Sequence, residues 1–505
     1  MKILSVGARS VCAELYNDTK YFSPCEYEIF VNGNKVRTDN RNVFSVIGLE
    51  PDTSYVIEAC GQSASFTTEK ESILFNVKDF NAYGDGVHDD TPAFSAAIAC
   101  LPEKGTLYVP AGIYFLTPIF MKSNMTLWLD EGAVLLGNPQ RHTYPVLPGV
   151  IGDMNLGTWQ GEEEACFASL ITAYGASNFS IVGGIIDCNA LNGDWYVNHR
   201  VKRVAWRPFG LFFNRCKNVV VHGVTVKDTP SWNVHPYFCE NVRLYDLNLY
   251  NTPSMPTTDG IDPDTCDGVE IAGVKISVGD DCIAIKSGTI EQAKKYKKPC
   301  RNITIRNCLM CDGHGGVVLG SELSGGIENI SVSKCLFDGT DRGLRIKTRR
   351  GRGRIGITDG IEFNDIIMKN VKVPFVVNMY YNMGDQTGHT EYVYTTDKLP
   401  VDDRTPHIGA FTFKDMVCTG VEYCAGAFYG LPEAPIEGVT FENVSFAYNR
   451  DAQAGFPDMK EINEKVKNGG LYFQFVKSVR LVNVKINEPS GQAVVCDGVE
   501  QFFEE

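Results

Sequence analysis

The chain has 505 residues, 44% of them hydrophobic, with 61 acids against 47 bases and a formal net charge of -14. That length exceeds one ordinary compact domain, so two units are expected, and the acid excess argues against nucleic acid as a partner, since phosphate binding needs a basic face. No segment approaches the roughly 20 consecutive apolar residues of a membrane span.

At the start, Met1 to Arg9 lacks the sustained apolar stretch of an export signal, because Arg9 interrupts it. Seventeen cysteines without such a signal are expected to remain thiols, and an odd count cannot pair completely. The cytoplasm is the expected location, with a secreted or periplasmic one as the alternative. Residues 1–70 read as short strands and turns: Glu28-Ile29-Phe30-Val31, the hairpin signal Asn32-Gly33-Asn34, and Ser54 to Ala59 after Leu49-Glu50-Pro51-Asp52-Thr53. The Leu, Pro-Asp-Thr, Tyr-x-Val series is similar to the end of a fibronectin type III sandwich. It holds no catalytic cluster and reads as a spacer or docking unit, with a linker near Thr67 to Ser72.

Thr91 before Pro92 marks a helix start, followed by apolar residues at helical spacing. A short amphipathic helix here would cover the open end of a stacked-strand solenoid. From Gly105 onward the chain repeats. Segments beginning at Asn178, Asn218, Asn241, Gly268, Asn302 and Asn329 alternate apolar with mostly polar residues and recur every 23 to 40 positions. That period with one short strand per repeat predicts a parallel β-helix over 71–505, each coil burying its strands against the next. Cys216, Cys239, Cys266 and Cys300 each lie two residues before an anchor, which places them in one vertical stack of interior thiols. Cys308-x-x-Cys311 has no second pair and matches no zinc pattern. Asp458 to Lys467 reads as a short helix in a connecting loop.

Chemistry concentrates between Thr257 and Lys347. In order come Thr257-Thr258-Asp259, Gly279-Asp280-Asp281, Gly313-His314-Gly315 and Arg345-Ile346-Lys347. Three carboxylates, a histidine and two cations are what hydrolysis of an acidic sugar chain requires: one acid protonates the leaving oxygen, another carboxylate activates water, and cations hold the substrate's carboxylates. No metal and no cofactor are called for. Asp280 and Asp281 face the same way only if the chain bends, which Gly279 permits. Asp262 and Asp264 read as turn caps.

These four segments resemble the signatures of glycoside hydrolase family 28, the polygalacturonases: Asn-Thr-Asp, Gly-Asp-Asp, Gly-His-Gly and Arg-Ile-Lys. Three match letter for letter, and Thr257 stands where the family has asparagine. The resemblance covers about residues 73 to 490. It implies an all-β chain with a right-handed parallel β-helix behind the fibronectin-like leader, and a pectic galacturonan as substrate. It also implies Asp280 as general acid, Asp259 and Asp281 as the pair that positions and deprotonates water with inversion at the anomeric carbon, and His314 as a tuning partner. Arg345 and Lys347 would bind uronate, with Tyr381 or Tyr380 at the place of a substrate-contacting tyrosine.

Arg342 to Arg354 carries seven cations in thirteen residues, a local reversal of sign that an anionic uronate would explain. Substitution of Arg345 or Lys347 by alanine is expected to weaken binding and leave the fold intact. Insertions Asn138 to Cys166 and Asn189 to Pro208 contain Trp159, Trp195 and Trp206 with His142, His199, Arg200, Lys202, Arg203 and Arg207. Loops of that length in a solenoid serve function, here by closing one end of the cleft and favouring release of single sugars from a chain end. The alternatives are an endo-acting or rhamnogalacturonan-directed hydrolase, a calcium-dependent pectate lyase, or a noncatalytic carbohydrate-binding β-helix. Oligomeric state is not legible.

Overall fold

A computed structural model describes residues 1–353, 355–382, 390–460 and 464–505. Residues 2–67 form seven strands in two sheets, ordered Lys2–Val6, Ser10–Glu14, Val43–Ile47 in one and Asn34–Arg41, Phe22–Val31, Ser54–Ala59, Gln62–Thr67 in the other. Asn32 and Gly33, at φ 48° and 76°, make the tight turn between Phe22–Val31 and Asn34–Arg41. Val11, Ile29, Phe44 and Ile57 fill the small core between the sheets.

The rest is a right-handed parallel β-helix. A typical coil has three strands: Lys217–His222, Thr225–Lys227 and Val234–Tyr237 pair in parallel with Glu240–Tyr245, Asn248–Tyr250 and the bridge residues Ile261 and Asp264 of the next coil. Alternating apolar residues such as Val219, Val221, Val226 and Val234 point into one core that runs from Val77 to Leu481. Interlocking phenylalanines, Phe363, Phe375, Phe413, Phe428 and Phe441, fill its C-terminal coils. The helix Thr91–Cys100, preceded by Asp90 as N-cap, turns Phe94, Ala97 and Ile98 inward over the first coils. Among the described residues no helix is long and apolar enough to cross a membrane.

The anchor asparagines explain the repeat spacing. Asn178, Asn218, Asn241, Asn302 and Asn329 all adopt φ between 54° and 58°, the left-handed region that asparagine tolerates better than most residues. Their side chains form a ladder, with Asn241 Nδ2 donating to Asn218 Oδ1 at 2.7 Å and Asn218 Nδ2 to Asn178 Oδ1 at 2.8 Å. Asn241→Ala is expected to cost about 1–2 kcal/mol, read as a lower denaturant midpoint with unchanged secondary structure. The cysteine stack forms as expected: Cys239, Cys266 and Cys300 each donate Sγ–H to a carbonyl of the preceding coil, Phe213, Pro236 and Pro263. All seventeen cysteines are free thiols.

The sandwich docks on the turns that join the first two strands of each repeat. Arg306 Nε donates to Glu14 at 3.0 Å, Arg41 pairs with Asp246, and the His222 ring lies between Ser10 and Ser45 hydroxyls at 3.0 Å each. The expected helix at 458–467 is not formed in its described part. Residues 458–460 and 464–467 are bends and bridges, with Lys460 bridged to Tyr381 and Val466 to Gly455, and 461–463 lie outside the described residues. Arg345 pulls Asp458 inward instead, which a surface helix would not allow.

Candidate active site

The third strands of successive coils stack into one sheet, and its outward face carries the site. The bridges Ile261↔Ile283 and Asp264↔Lys286 set the segment Ile261 to Asp264 beside Asp281–Ile285. Asp281 then pairs with Gly315, Val318 with Arg345, and Gly320 with Lys347. Four motifs scattered over ninety residues thus occupy four adjacent rungs, each about 4.8 Å from the next. Gly279 makes the bend before Asp280 possible: a Cβ there would lie 2.2 Å from the Met255 carbonyl oxygen. The bend turns both Asp280 and Asp281 into one cavity of about 440 Å3, also lined by Asp259, His314, Arg345, Lys347 and Tyr381.

Asp259, Asp280 and Asp281 each place a carboxylate oxygen within 4.8 Å of the others. Such a trio has the donors for a divalent cation, but here ammonium groups already serve it: Lys347 Nζ donates to Asp281 Oδ2 at 2.6 Å and Lys286 Nζ lies 3.8 Å from Asp259 Oδ2. Burial, with Asp262 and Asp280 nearby, pushes the Asp259 carboxyl well above the usual range. Asp280 behaves oppositely. Burial raises its pKa, but the hydrogen bond from His314 and the ammonium groups of Lys347 and Lys286 outweigh it and hold the carboxyl low. The same bond, His314 Nδ1 to Asp280 Oδ1 at 3.4 Å, raises the imidazole above its ordinary value. A carboxyl held low against an imidazole held high makes one titrating pair, with its dissociable proton resting on His314.

Lys286 was invisible in the sequence and stands at the centre of the charge network. It lies 3.4 Å from Asp262 Oδ1 and 3.6 Å from Glu322 Oε2, with its ammonium 4.7 Å from the Trp232 ring centroid. Burial opposes its charge, yet Asp262, Glu322 and Asp259 together raise its pKa. Glu322 is driven down to about 2, burial being overcome by Lys286 and then Arg352. Asp262 and Asp264 are not turn caps. Both are fully buried on the site rung, where desolvation lifts them to about 8 and about 7. A motif marks none of Lys286, Glu322 or Asp458; only the alternation from Ile283 to Lys286, with Ile283 and Ile285 inward, could have set Lys286 on the outward face.

Three further expectations are corrected. Tyr380 is fully buried in the core, while its neighbour Tyr381 lines the cavity, its ring 5.5 Å from the Arg345 guanidinium and 5.6 Å from the Lys347 ammonium. Both tyrosines lie beyond the strand Val373–Asn378 in single bridges, Tyr380 to Arg349 and Tyr381 to Lys460, and only Tyr381 turns to the site. The basic run is largely neutralised internally: Arg345 donates to Asp458 at 2.6 Å, Lys347 to Asp281, and Arg350 to Glu433 at 2.6 Å, while Arg354 lies outside the described residues. Removing Arg345 would take from the buried Asp458 its 2.6 Å partner, so a cost to stability is expected beside any loss of binding. Of the insertion residues, Trp159, Trp206, His199, Arg200 and Arg207 line the cavity. Trp195 packs with Tyr144 and Phe167 away from it, His142 lines a separate cavity, and Lys202 and Arg203 pair with Glu164 and Asp194.

With this geometry in place, comparison with known proteins is direct. The family model described as glycosyl hydrolases family 28 matches residues 151–453, and one described as rhamnogalacturonase A/epimerase, pectate lyase-like, matches residues 74–149. A probable polygalacturonase of Vitis vinifera is 30% identical over 374 residues, 73% of this chain and 73% of its own length. The structure of a family 28 exopolygalacturonase from Yersinia enterocolitica superposes with a TM-score of 0.67 at 20% identity, covering 99% of this chain and 97% of that one. An exopolygalacturonase from Thermotoga maritima gives 0.63 at 24% identity, covering 81% and 91%. The two structures share the β-helix, and the family model covers more than half of the sequence, including every motif of the acid cluster: the chain belongs to glycosyl hydrolase family 28.

Proposed function

We propose that the protein hydrolyses α-1,4-galacturonosidic bonds of pectic oligogalacturonides from a chain end, releasing galacturonate with inversion. The observation that carries this reading is the shared cavity. Trp159, Trp206 and Arg207 from the insertions line the same pocket as Asp259, Asp280 and Asp281, so these loops stand where an open groove would let the polymer run past. The name of the Vitis vinifera relative supports the substrate class.

In the mechanism, Asp280 protonates the leaving glycosidic oxygen, and His314 keeps a proton available to it through their hydrogen bond. Asp281, held in place by Lys347, accepts the proton of the water that it and Asp259 orient. The carboxylates are closer than the roughly 6.5–9.5 Å of two-acid inverting enzymes. Three acids share this site, however, so one donates while two hold the water, and the family resemblance favours inversion over that spacing. The second reading, a rhamnogalacturonan-directed hydrolase, draws on the match over residues 74–149.

Incubation with polygalacturonate, tri-galacturonate and a rhamnogalacturonan oligomer tests all of this. Galacturonate is expected as the first product, seen by NMR as the β-anomer. Mid-length oligomers appearing early from polygalacturonate would overturn chain-end attack, and an α-anomer would overturn inversion. Products from rhamnogalacturonan alone would establish the second reading. An unsaturated, ultraviolet-absorbing product abolished by a chelator would mean elimination.

A further inference from the structure

A cation taken out of water is costly without a counter-charge, and the cavity holds one such group. Lys286, Lys347 and Arg345 each have a carboxylate within 4 Å. Arg207 is 3% exposed and has none among the described residues. Its Nη1 donates to the Pro230 carbonyl at 2.6 Å and Nη2 to Thr257 Oγ1 at 2.6 Å, while Nε has no acceptor among the described residues. The guanidinium lies 5.3 Å from the Trp159 ring centroid. Burial lowers its pKa only to about 10, so it remains charged at neutral pH.

Thr257 ties this charge to the chemistry. Its backbone N–H donates to Asp280 Oδ2 at 3.1 Å while its hydroxyl oxygen accepts from Arg207. The guanidinium therefore lies one residue away from the carboxyl that protonates the leaving group. Thr257 has φ 60°, where a β-branched residue is a conformational outlier. Asparagine, which the resemblance places at this position, tolerates that backbone more readily. The threonine is held there by its contacts to both Asp280 and Arg207.

We propose that Arg207 anchors the carboxylate of the terminal uronate, the sugar whose bond is cut, and that Thr257 is a positioning residue that aims the guanidinium. The inference rests on the galacturonan reading above. It reassigns the work of recognition: Arg345 and Lys347, neutralised by Asp458 and Asp281, order the catalytic carboxylates, and the unpaired Arg207 receives the substrate's charge. A carboxylate entering the cavity completes the buried arginine's fork of donors, which a neutral sugar cannot do.

The test uses two trisaccharides: tri-galacturonate, and the same trimer with the carboxylate of its non-reducing terminal sugar reduced to a primary alcohol. The intact wild-type protein is expected to cleave the first with a kcat/KM about 30-fold higher. Arg207→Gln, which keeps an amide donor but no charge, is expected to lose that preference, chiefly through KM, whereas Arg207→Lys retains most of it. Discrimination unchanged in Arg207→Gln overturns the anchor and leaves the galacturonan reading standing, as does a wild type that cleaves both trimers equally. A wild type that cleaves neither overturns the galacturonan reading itself. Because the wild-type comparison needs no variant, a glutamine protein that fails to fold still leaves the proposal open to refutation.

Discussion

Asp280→Asn is expected to lower kcat by about 10^3-fold, the usual order of a general acid's contribution, with KM and the circular dichroism spectrum little changed. The asparagine is nearly isosteric, and its one oxygen still accepts from one of the Thr257 and Asp281 N–H groups, which bind different oxygens of the native carboxylate at 3.1 Å each. What it cannot do is pass a proton. A second readout follows from the pair. His314 is raised first by its hydrogen bond to Asp280, so in the variant its imidazole should titrate lower, toward the ordinary value near 6.5. In the native protein a raised pKa means the pair keeps its proton to higher pH, and the alkaline limb of the rate profile should fall above the ordinary histidine range. NMR titration of His314 and a pH–rate profile check both statements. Full activity in Asp280→Asn would send the search to another acid, and an unmoved His314 titration would mean that the two groups do not titrate as a pair.

Lys286→Met is expected to destabilise the protein by about 3–5 kcal/mol at pH 8. Methionine matches the lysine stem, so the loss is one of charge. Asp259, Asp262 and Glu322 would then crowd the same buried volume without their common ammonium. The effect depends on pH in a definite direction. Glu322 has a folded pKa held at about 2 by Lys286 and Arg352 against burial, below the unfolded value of about 4.3. It therefore adds stability above that unfolded value, and the addition is lost as pH falls through the folded one. Without Lys286 the carboxylates must bury their charge unpaired or take up protons, and acid supplies those protons. The gap in thermal midpoint between wild type and variant should therefore be widest near pH 8 and narrow toward pH 4. An equal gap at both would mean that packing, rather than charge pairing, holds Lys286 in place.

Much of the architecture was legible before any coordinates. Recurring asparagine anchors and equal cysteine offsets reported a stacked coil because successive coils repeat one backbone requirement, a left-handed residue at the corner, and four of them set a small thiol two places before it. The four motifs were legible for the same reason: one motif per coil becomes one cluster when coils stack. Tyr380 and Tyr381 show where such reading stops. They differ by one place in the chain, yet one belongs to the core and the other to the cavity, and an irregular segment gives no alternation from which to choose. Asp458 misled in another way, since a short polar stretch reads as surface helix unless Arg345, 113 residues earlier, is known to draw it inward.

The order of residues by itself determined the all-β solenoid, the alignment of Asp259, Asp280, Asp281 and His314, and the family, because local alternation and repeat spacing are properties of neighbouring residues. Only the tertiary structure decided which charges are spent and which remain. Lys286, Glu322 and Asp458 lie outside every motif and act through neighbours distant in the chain, and Arg207 is distinguished solely by lacking a carboxylate among its described neighbours. Pairing of buried charges depends on distance and desolvation, and both are set by how the coils and their insertions pack, not by the spelling of any one segment.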